Sequence, residues 1–311
     1  MSIQCIFCLN DFDKGSEEHV FPDSLGGKVV IYDVCKRCND KLGSEVDSYL
    51  VNNPFMEFAR FTKKLSGKNG HIPNPIDEGR LKDNNEKVYY KFSKEGNPES
   101  LYMVPVVTKS EDGETITVKV DASEPDKAVE IINKILKRRG GKVKSKEEIL
   151  SQGVFKKVEN PWLEMNMEFD INSYRKAILK IIYEMTYLWL GKEYLKDPIA
   201  NILRTYIFSK DLEVEGLIGS VDLVDKKNIT GLAIFADGES HTAILIRDNN
   251  KLCCYVNLFN IFEGTLVVSE QPEQYLLESG IENGKMLKSI INSNEVVEKN
   301  LQEAILEISQ K

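Results

Sequence analysis

The sequence predicts an α+β fold with a small metal-stapled unit at its start, and three observations predict it. Two cysteine pairs, Cys5-Ile-Phe-Cys8 and Cys35-Lys-Arg-Cys38, lie close together near the beginning of the chain. Runs rich in β-branched and aromatic residues, separated by turn residues, recur in the middle and again near the end. Between them stand segments whose apolar residues recur at helical spacing. The expected organisation is a finger over residues 1–65, a middle α+β region over 66–160, and a C-terminal α+β domain over 161–311 with an antiparallel sheet.

The cysteines come first in the argument. Thiolates in two CxxC pairs suit one tetrahedral zinc ion, with the intervening chain folded as a hairpin. Cys253 and Cys254 are adjacent in a strand-like run, so their side chains point to opposite faces and pack as small hydrophobes rather than as a disulfide. Between the pairs, Glu18-His19-Val20-Phe21-Pro22 reads as a strand ended by proline, Leu25-Gly26-Gly27 as a turn, and Val29-Val30-Ile31-Tyr32 as a second strand. A helix opens near Asn39. Strand geometry sends Glu18 and His19 to opposite sides unless the backbone bends.

Residues 66–79, SGKNGHIPNPIDEG, mark a boundary. KVYYKF, LYMVPVV and ETITVKV follow as strands, then a helix from Asp126 to Arg139 ended by Gly140-Gly141. Residues 172–190 form a strong helix; its apolar stretch is short and interrupted by Lys180 and Glu184, so it is a buried helix and not a membrane span. Another helix runs from Pro198 to Ile207 with Asp197 as its cap. GLAIFA, TAILIRD, LCCYVNLF and GTLVVS read as strands, with a hairpin at Asp248-Asn249-Asn250, and the tail EVVEKNLQEAILEISQK as an amphipathic helix.

Composition narrows the class. With 41% hydrophobic and 29% charged residues the 311-residue chain is ordinary for a soluble globular protein, and its start lacks the features of a signal peptide. Reduced cysteines then imply a cytoplasmic setting. A net charge of −8 argues against a surface coated with nucleic acid but leaves room for local basic faces. Two are visible: Lys134 to Lys146, including Lys137, Arg138 and Arg139, and the smaller group Lys63, Lys64 and Lys68. Either is a solvated helix end or a phosphate contact.

Together the segments CIFC, EHVFPDSLGG and VCKRCNDKLGSEVD resemble the HNH endonucleases of the ββα-metal superfamily, in the subgroup written CxxC, EHxxP, LGG, CxxCN. The resemblance covers about the first 55 residues. It implies that His19 is the general base that activates water, since an imidazole titrates near neutrality. Glu18 and Asn39 would be ligands of a catalytic Mg²⁺ or Mn²⁺, with Asp47 a further ligand or a neighbour of one. Cys5, Cys8, Cys35 and Cys38 would hold structural Zn²⁺. The products would carry 5′-phosphate and 3′-hydroxyl ends. The pattern departs from the family in having Glu18 where Asp is frequent, no Asn near Val29 to Ile31, and Asn39 where the final His stands.

The expected partner is DNA, with a small-molecule or protein activator acting through the C-terminal region, no membrane, and self-association open. The expected role is bacterial defence against foreign DNA, by restriction or as a regulated antiphage effector. The rival reading is a non-catalytic zinc-bound protein that binds nucleic acid or acts as a scaffold; it differs in not requiring Glu18, His19 and Asn39 to converge. His71 reads as an exposed linker residue and His241 as a structural one.

Overall fold

In the computed structural model, which describes residues 2–310 apart from positions 69, 76–77, 94–96, 112, 160, 167, 210–216, 225–226, 228–230, 276–280 and 294, the chain opens with the short antiparallel pair β1 (Ile3–Gln4) and β2 (Asp11–Phe12). Their connection is a tight knuckle. Cys5 N donates to Asn10 O and Leu9 N to Cys5 O, each at 2.9 Å, which brings Cys5 and Cys8 onto one turn.

A second antiparallel pair follows, β3 (Ser16–His19) with β4 (Val30–Val34); Glu18 stands opposite Ile31 and His19 opposite Val30, with a register shift between Ser16 and Glu18. The 3₁₀ turn Asp23–Leu25 joins them. Its two glycines have separate reasons: Gly26 takes φ 81°, and a Cβ on Gly27 would lie 1.9 Å from Phe21 O. Any side chain at Gly27 would therefore push the hairpin open. Helix α1 (Lys36–Leu42) starts inside the second cysteine pair and continues through a π-wound turn, Gly43–Asp47, into α2 (Ser48–Val51). α3 (Pro54–Thr62) comes next, capped by Asn53 Oδ1, which accepts from Phe55 N at 2.9 Å. The β-β-α order read from the sequence is present.

Residues Asn74–Glu168 form a compact unit of their own. Strands β5 (Gly79–Leu81), β6 (Lys87–Phe92) and β7 (Pro98–Met103) make an antiparallel sheet, and β8 (Val106–Lys109) pairs with β9 (Ile116–Lys119). Helices α4 (Pro125–Arg138) and α5 (Lys146–Leu150) follow, and β10 (Leu163–Glu164) adds to the edge of β5. The run LYMVPVV, expected as one strand, is two: β7 stops at Met103 and β8 starts at Val106. Pro105 sits in the break, where it has no N–H to give a ladder.

Residues 1–73 and 169–311 form the other unit. α6 (Ile171–Leu190) is capped by Asp170, and α7 (Pro198–Phe208) by Asp197, whose Oδ1 accepts from Ile199 N at 2.9 Å. A six-stranded antiparallel sheet is built from β11 (Gly219–Leu223), β12 (Ser240–Asp248), β13 (Lys251–Leu258), β14 (Phe262–Ser269), β15 (Lys285–Ile290) and β16 (Val296–Asn300), in the order β11-β14-β13-β12-β15-β16. A Cβ on Gly264 would come within 2.6 Å of Ile178; its absence lets α6 lie close on the sheet. Ile6, Phe21, Leu25 and Leu42 of the finger share one buried cluster with Ile178, Ile182, Leu245 and Val256, each side chain contributing roughly 1.5–3 kcal/mol by leaving water.

Two sequence expectations are corrected. GLAIFA is a 3₁₀ turn, Gly231–Phe235, and not a strand; a run this short carries no periodicity that separates the two. The tail is not one helix. Val296–Asn300 pairs with β15, and only Leu301–Ser309 is helical (α8), begun by Asn300, whose side chain accepts from Glu303 N at 2.8 Å. Among the described residues no helix is long and apolar enough to cross a membrane.

Candidate active site

The thiols of Cys5, Cys8, Cys35 and Cys38 converge: their sulfurs all lie within 4.8 Å of one another. Cys8 and Cys35 Sγ are 3.8 Å apart, which is the edge of a tetrahedron with Zn–S bonds of about 2.3 Å. The donor set, four soft sulfurs in tetrahedral reach, fits zinc. Burial pushes the Cys5 and Cys38 thiols above their ordinary value, so a metal must displace protons to bind.

On β3 the two central residues part company. His19 turns toward solvent, its side chain 15% exposed, with Nε2 lying 3.5 Å from Glu17 Oε1 and 3.9 Å from Asp23 Oδ1. Burial lowers its pKa below 6.5; Lys68 adds to this, and Asp23, Glu17 and Glu18 oppose it. The imidazole is therefore a free base at neutral pH. Asn39, on α1, donates its amide to Glu17 O at 2.9 Å, which ties the helix to the strand beside His19. Its side-chain oxygen receives no hydrogen bond among the described residues.

Glu18 turns the other way, into the interior, where it is 4% exposed. Its Oε1 lies 2.5 Å from Nζ of Lys180, a fully buried residue of α6. The same ammonium donates to His19 O at 2.8 Å and to Asp47 Oδ2 at 3.3 Å. Glu184 Oε2 is 3.2 Å away, and among the described residues neither of its oxygens has a partner in hydrogen-bond geometry. Burial opposes charge on Lys180, yet Asp47, Glu18 and Glu184 outweigh it and hold its proton. Burial likewise pushes Asp47 up to about 6 and Glu184 well above the usual carboxylate range, against the pull of Lys180. Three carboxylates around one ammonium leave excess negative charge, which a proton on Glu184 relieves.

This placement tests the expected catalytic cation. Asn39 offers a hard oxygen on the solvent side with His19 and fits a ligand of Mg²⁺ or Mn²⁺. Glu18 does not fit beside it, because its carboxylate is engaged by Lys180 on the buried side. The expected alternation along the strand prevails over the expected convergence. Asp47 likewise belongs to the buried cluster.

An open cleft of 440 Å³ lies on the far side of Asp23, whose carboxylate is 3.9 Å from the His19 ring. Asp23, Lys28, Lys64, Ser66, Lys68 and Asn292 line it. Asp23 touches both the cleft and the imidazole, and Lys68 reaches Glu17 Oε1 at 3.2 Å. Three ammonium groups, one of them paired with Glu17, against the single lining carboxylate of Asp23 suit an anionic ligand. Lys63 is differently placed, paired with Glu239 Oε1 at 2.9 Å and set over the Phe259 ring. Lys137, Arg138 and Arg139 lie exposed at the end of α4, with Arg139 donating to Gly113 O at 3.2 Å. His71 is exposed. His241 is fully buried, stacked on Phe21, with Nε2–H donating to Leu25 O at 2.9 Å and Nδ1 without a partner among the described residues.

Sequence reasoning passed over Lys180, Glu184, Lys28 and Asn292. For the first two a signal exists: they are the charges that interrupt the apolar run of α6, spaced i, i+4. No local pattern marks Lys28 or Asn292. No curated protein and no solved structure matched the chain. Residues 5–55 match the family model described as HNH endonuclease, so the segment that carries the four cysteines, His19 and Asn39 is similar to the HNH endonucleases.

Proposed function

We propose that the chain is a metal-dependent endonuclease that hydrolyses DNA phosphodiester bonds in the cleft beside His19. The observation that carries this is a free-base histidine whose neighbour Asp23 lines a lysine-rich cleft, on a finger matched by the HNH endonuclease family. His19 takes the proton of the attacking water, a role that needs a neutral imidazole. Lys28, Lys64 and Lys68 hold the phosphate and offset the charge that grows on it. Glu17 and Asp23 flank the imidazole and support the positive charge it acquires. A divalent cation, Mg²⁺ or Mn²⁺ with Asn39 as a ligand, would supply further neutralisation at the phosphate when bound. Zinc at the four cysteines staples the finger and takes no part in the chemistry.

The role we assign is defence of a bacterium against foreign DNA in the cytoplasm, as a restriction-type enzyme or as an antiphage effector. In the second case residues 169–311, whose α6 holds the finger, receive the small-molecule or protein signal. A second reading, a zinc-bound DNA-binding or scaffolding protein without catalysis, is favoured by one observation: Glu18 faces Lys180 and not His19.

Plasmid cleavage by the protein and by His19→Ala, with Mg²⁺ or Mn²⁺ and with EDTA, separates the two. The nuclease reading expects cutting that needs the cation and drops by about 10²–10⁴-fold without His19, at unchanged zinc content. Equal cutting by both proteins would remove His19 from the reaction; DNA binding without cutting by either would favour the scaffold. Because His19 is held below 6.5, the acid limb of the kcat/KM profile should also fall below that pH.

A further inference from the structure

α6 lies outside the segment that matches the family, yet it reaches the finger along one face. Lys180, Tyr183 and Tyr187 are spaced i, i+3, i+7, which puts them on a single stripe of the helix. Tyr183 OH donates to Ile6 O inside the cysteine knuckle, Tyr187 OH donates to Asp33 Oδ2 at 2.9 Å on β4, and Lys180 reaches β3. The two tyrosines dock the finger. Lys180 does something more specific, because its ammonium grips consecutive residues: the carboxylate of Glu18 and the backbone oxygen of His19.

We infer that Lys180 is a positioning residue of the active site, holding the Glu18 side chain and the peptide between His19 and Val20 so that the imidazole stays against Asp23 at the cleft wall. β3 stops at His19, where the hairpin bond from Val20 N to Val29 O at 3.0 Å still ties the backbone to its partner strand. A donor from α6 clamped on the carbonyl of His19, and on the side chain before it, adds a tie from a second element and sets the tilt of the strand end. The ammonium is itself held: it is fully buried, with Asp47 and Glu184 closing its other sides. A lysine with no rotational freedom is an unusual feature in a dry interior, and a point charge with three donors meets a backbone oxygen and separate carboxylates in a way a flat guanidinium would not. An apolar residue at this position would have packed the core with no buried charge to satisfy. Its partners at His19 and Glu18 are what its charge serves. The finger is thus completed by a helix well over a hundred residues away in sequence.

This inference rests on His19 being the base, and its test is chosen to separate the two. The chain has three histidines, so ¹⁵N-labelled histidine gives a spectrum in which His19 is identified by its loss in His19→Ala. Lys180→Met should move the His19 ring resonances while those of His71 and His241 stay, and should lower kcat for plasmid by about a hundredfold, the scale of a misplacement near 1 Å, with KM within about twofold. Tyr187→Phe, which removes a docking bond of the same helix, should leave the His19 resonances and kcat in place. Should Lys180→Met not fold, Lys180→Met/Glu184→Leu replaces the buried ammonium and the carboxyl beside it with apolar side chains and is read in the same way. Unmoved His19 resonances in a folded Lys180 variant would overturn the inference, as would equal shifts in Tyr187→Phe, which would reduce Lys180 to docking. If the wild-type protein cuts no DNA, the nuclease reading fails while the spectrum still decides whether Lys180 aims His19.

Discussion

The finger is held at two places by cages of acidic side chains, and the cages are filled differently. At the knuckle four thiols face one another with no cation supplied by the chain. Beneath β3 three carboxylates face one another around Lys180, which the chain does supply. Sulfur is soft and large, suited to zinc and poorly matched to an ammonium; carboxylates are hard and accept the short N–H···O bonds that lysine makes. The first cage depends on what the solution contains. The second depends on a helix from the far part of the same unit. A protein built this way can lose its finger by two independent routes, loss of metal or withdrawal of α6.

The largest effect should come from emptying the first cage. Cys35→Ser should take the bound zinc from one ion per chain to near none and lower the melting temperature, since structural zinc in small fingers is worth on the order of 10 kcal/mol of folding free energy. Elemental analysis and calorimetry read both. Unchanged zinc and unchanged melting would mean that these sulfurs do not form the site, and the contrast between the two cages would collapse.

Opening the second cage should cost less. Lys180→Met leaves Glu18 and Asp47 without their cation and should destabilise the unit by about 3–5 kcal/mol in denaturant unfolding, with zinc still bound. Adding Glu184→Leu should recover part of that loss by removing a buried carboxyl as well. If the single variant were as stable as the wild type, the ammonium would be a passenger in the core.

A third tie between the finger and the sheet gives a pH signature. Burial lowers His241 to about 4, so the folded protein keeps it neutral while the unfolded chain takes up a proton near 6.5. Its effect is absent above pH 6.5; stability then falls as the pH drops from 6.5 to 4, by about 3 kcal/mol in all. The loss in the wild type between pH 7 and pH 4 should exceed that in His241→Gln by this amount. Equal losses would mean that the ring is accessible to protons in the folded state.

How much of this was legible in the sequence follows from the range over which each interaction acts. The zinc cage is written in two tetrapeptides, the turn in Gly26-Gly27, and the cap of α7 in Asp197, all within a few residues of what they control. The separation of Glu18 from His19 was legible too, because side-chain alternation is a property of the strand alone. The partner of Glu18 was not. Lys180 announces itself only as a charge in an apolar helix, and nothing local says that it meets the carbonyl of His19. The cleft is likewise assembled from Lys28, Lys64, Lys68 and Asn292, whose distance along the chain hides their proximity. Strand and 3₁₀ turn at Gly231–Phe235 were indistinguishable because five apolar residues carry no period.

The smallest effects belong to the open surfaces, where charge is screened, and they test whether the caged interior and the exposed lysines share one task. Removing one lysine–phosphate interaction should lower the slope of log affinity against log salt by about 0.9 on duplex DNA. Lys28→Glu/Lys64→Glu alters the cleft without touching His19, Asn39 or either cage, and on His19→Ala protein, which binds without cutting, should reduce that slope by nearly two. Arg138→Glu/Arg139→Glu, at the end of α4 in the unit 74–168, should change it by one or less, since Arg139 is already engaged by Gly113 O and both lie on a solvated surface. The reverse ranking would place DNA on the helix end and leave the cleft to a smaller anion. A cleft pair with no effect on the slope would separate the lysines from the imidazole that Asp23 joins to their cleft, and His19 would then need its phosphate held by other groups.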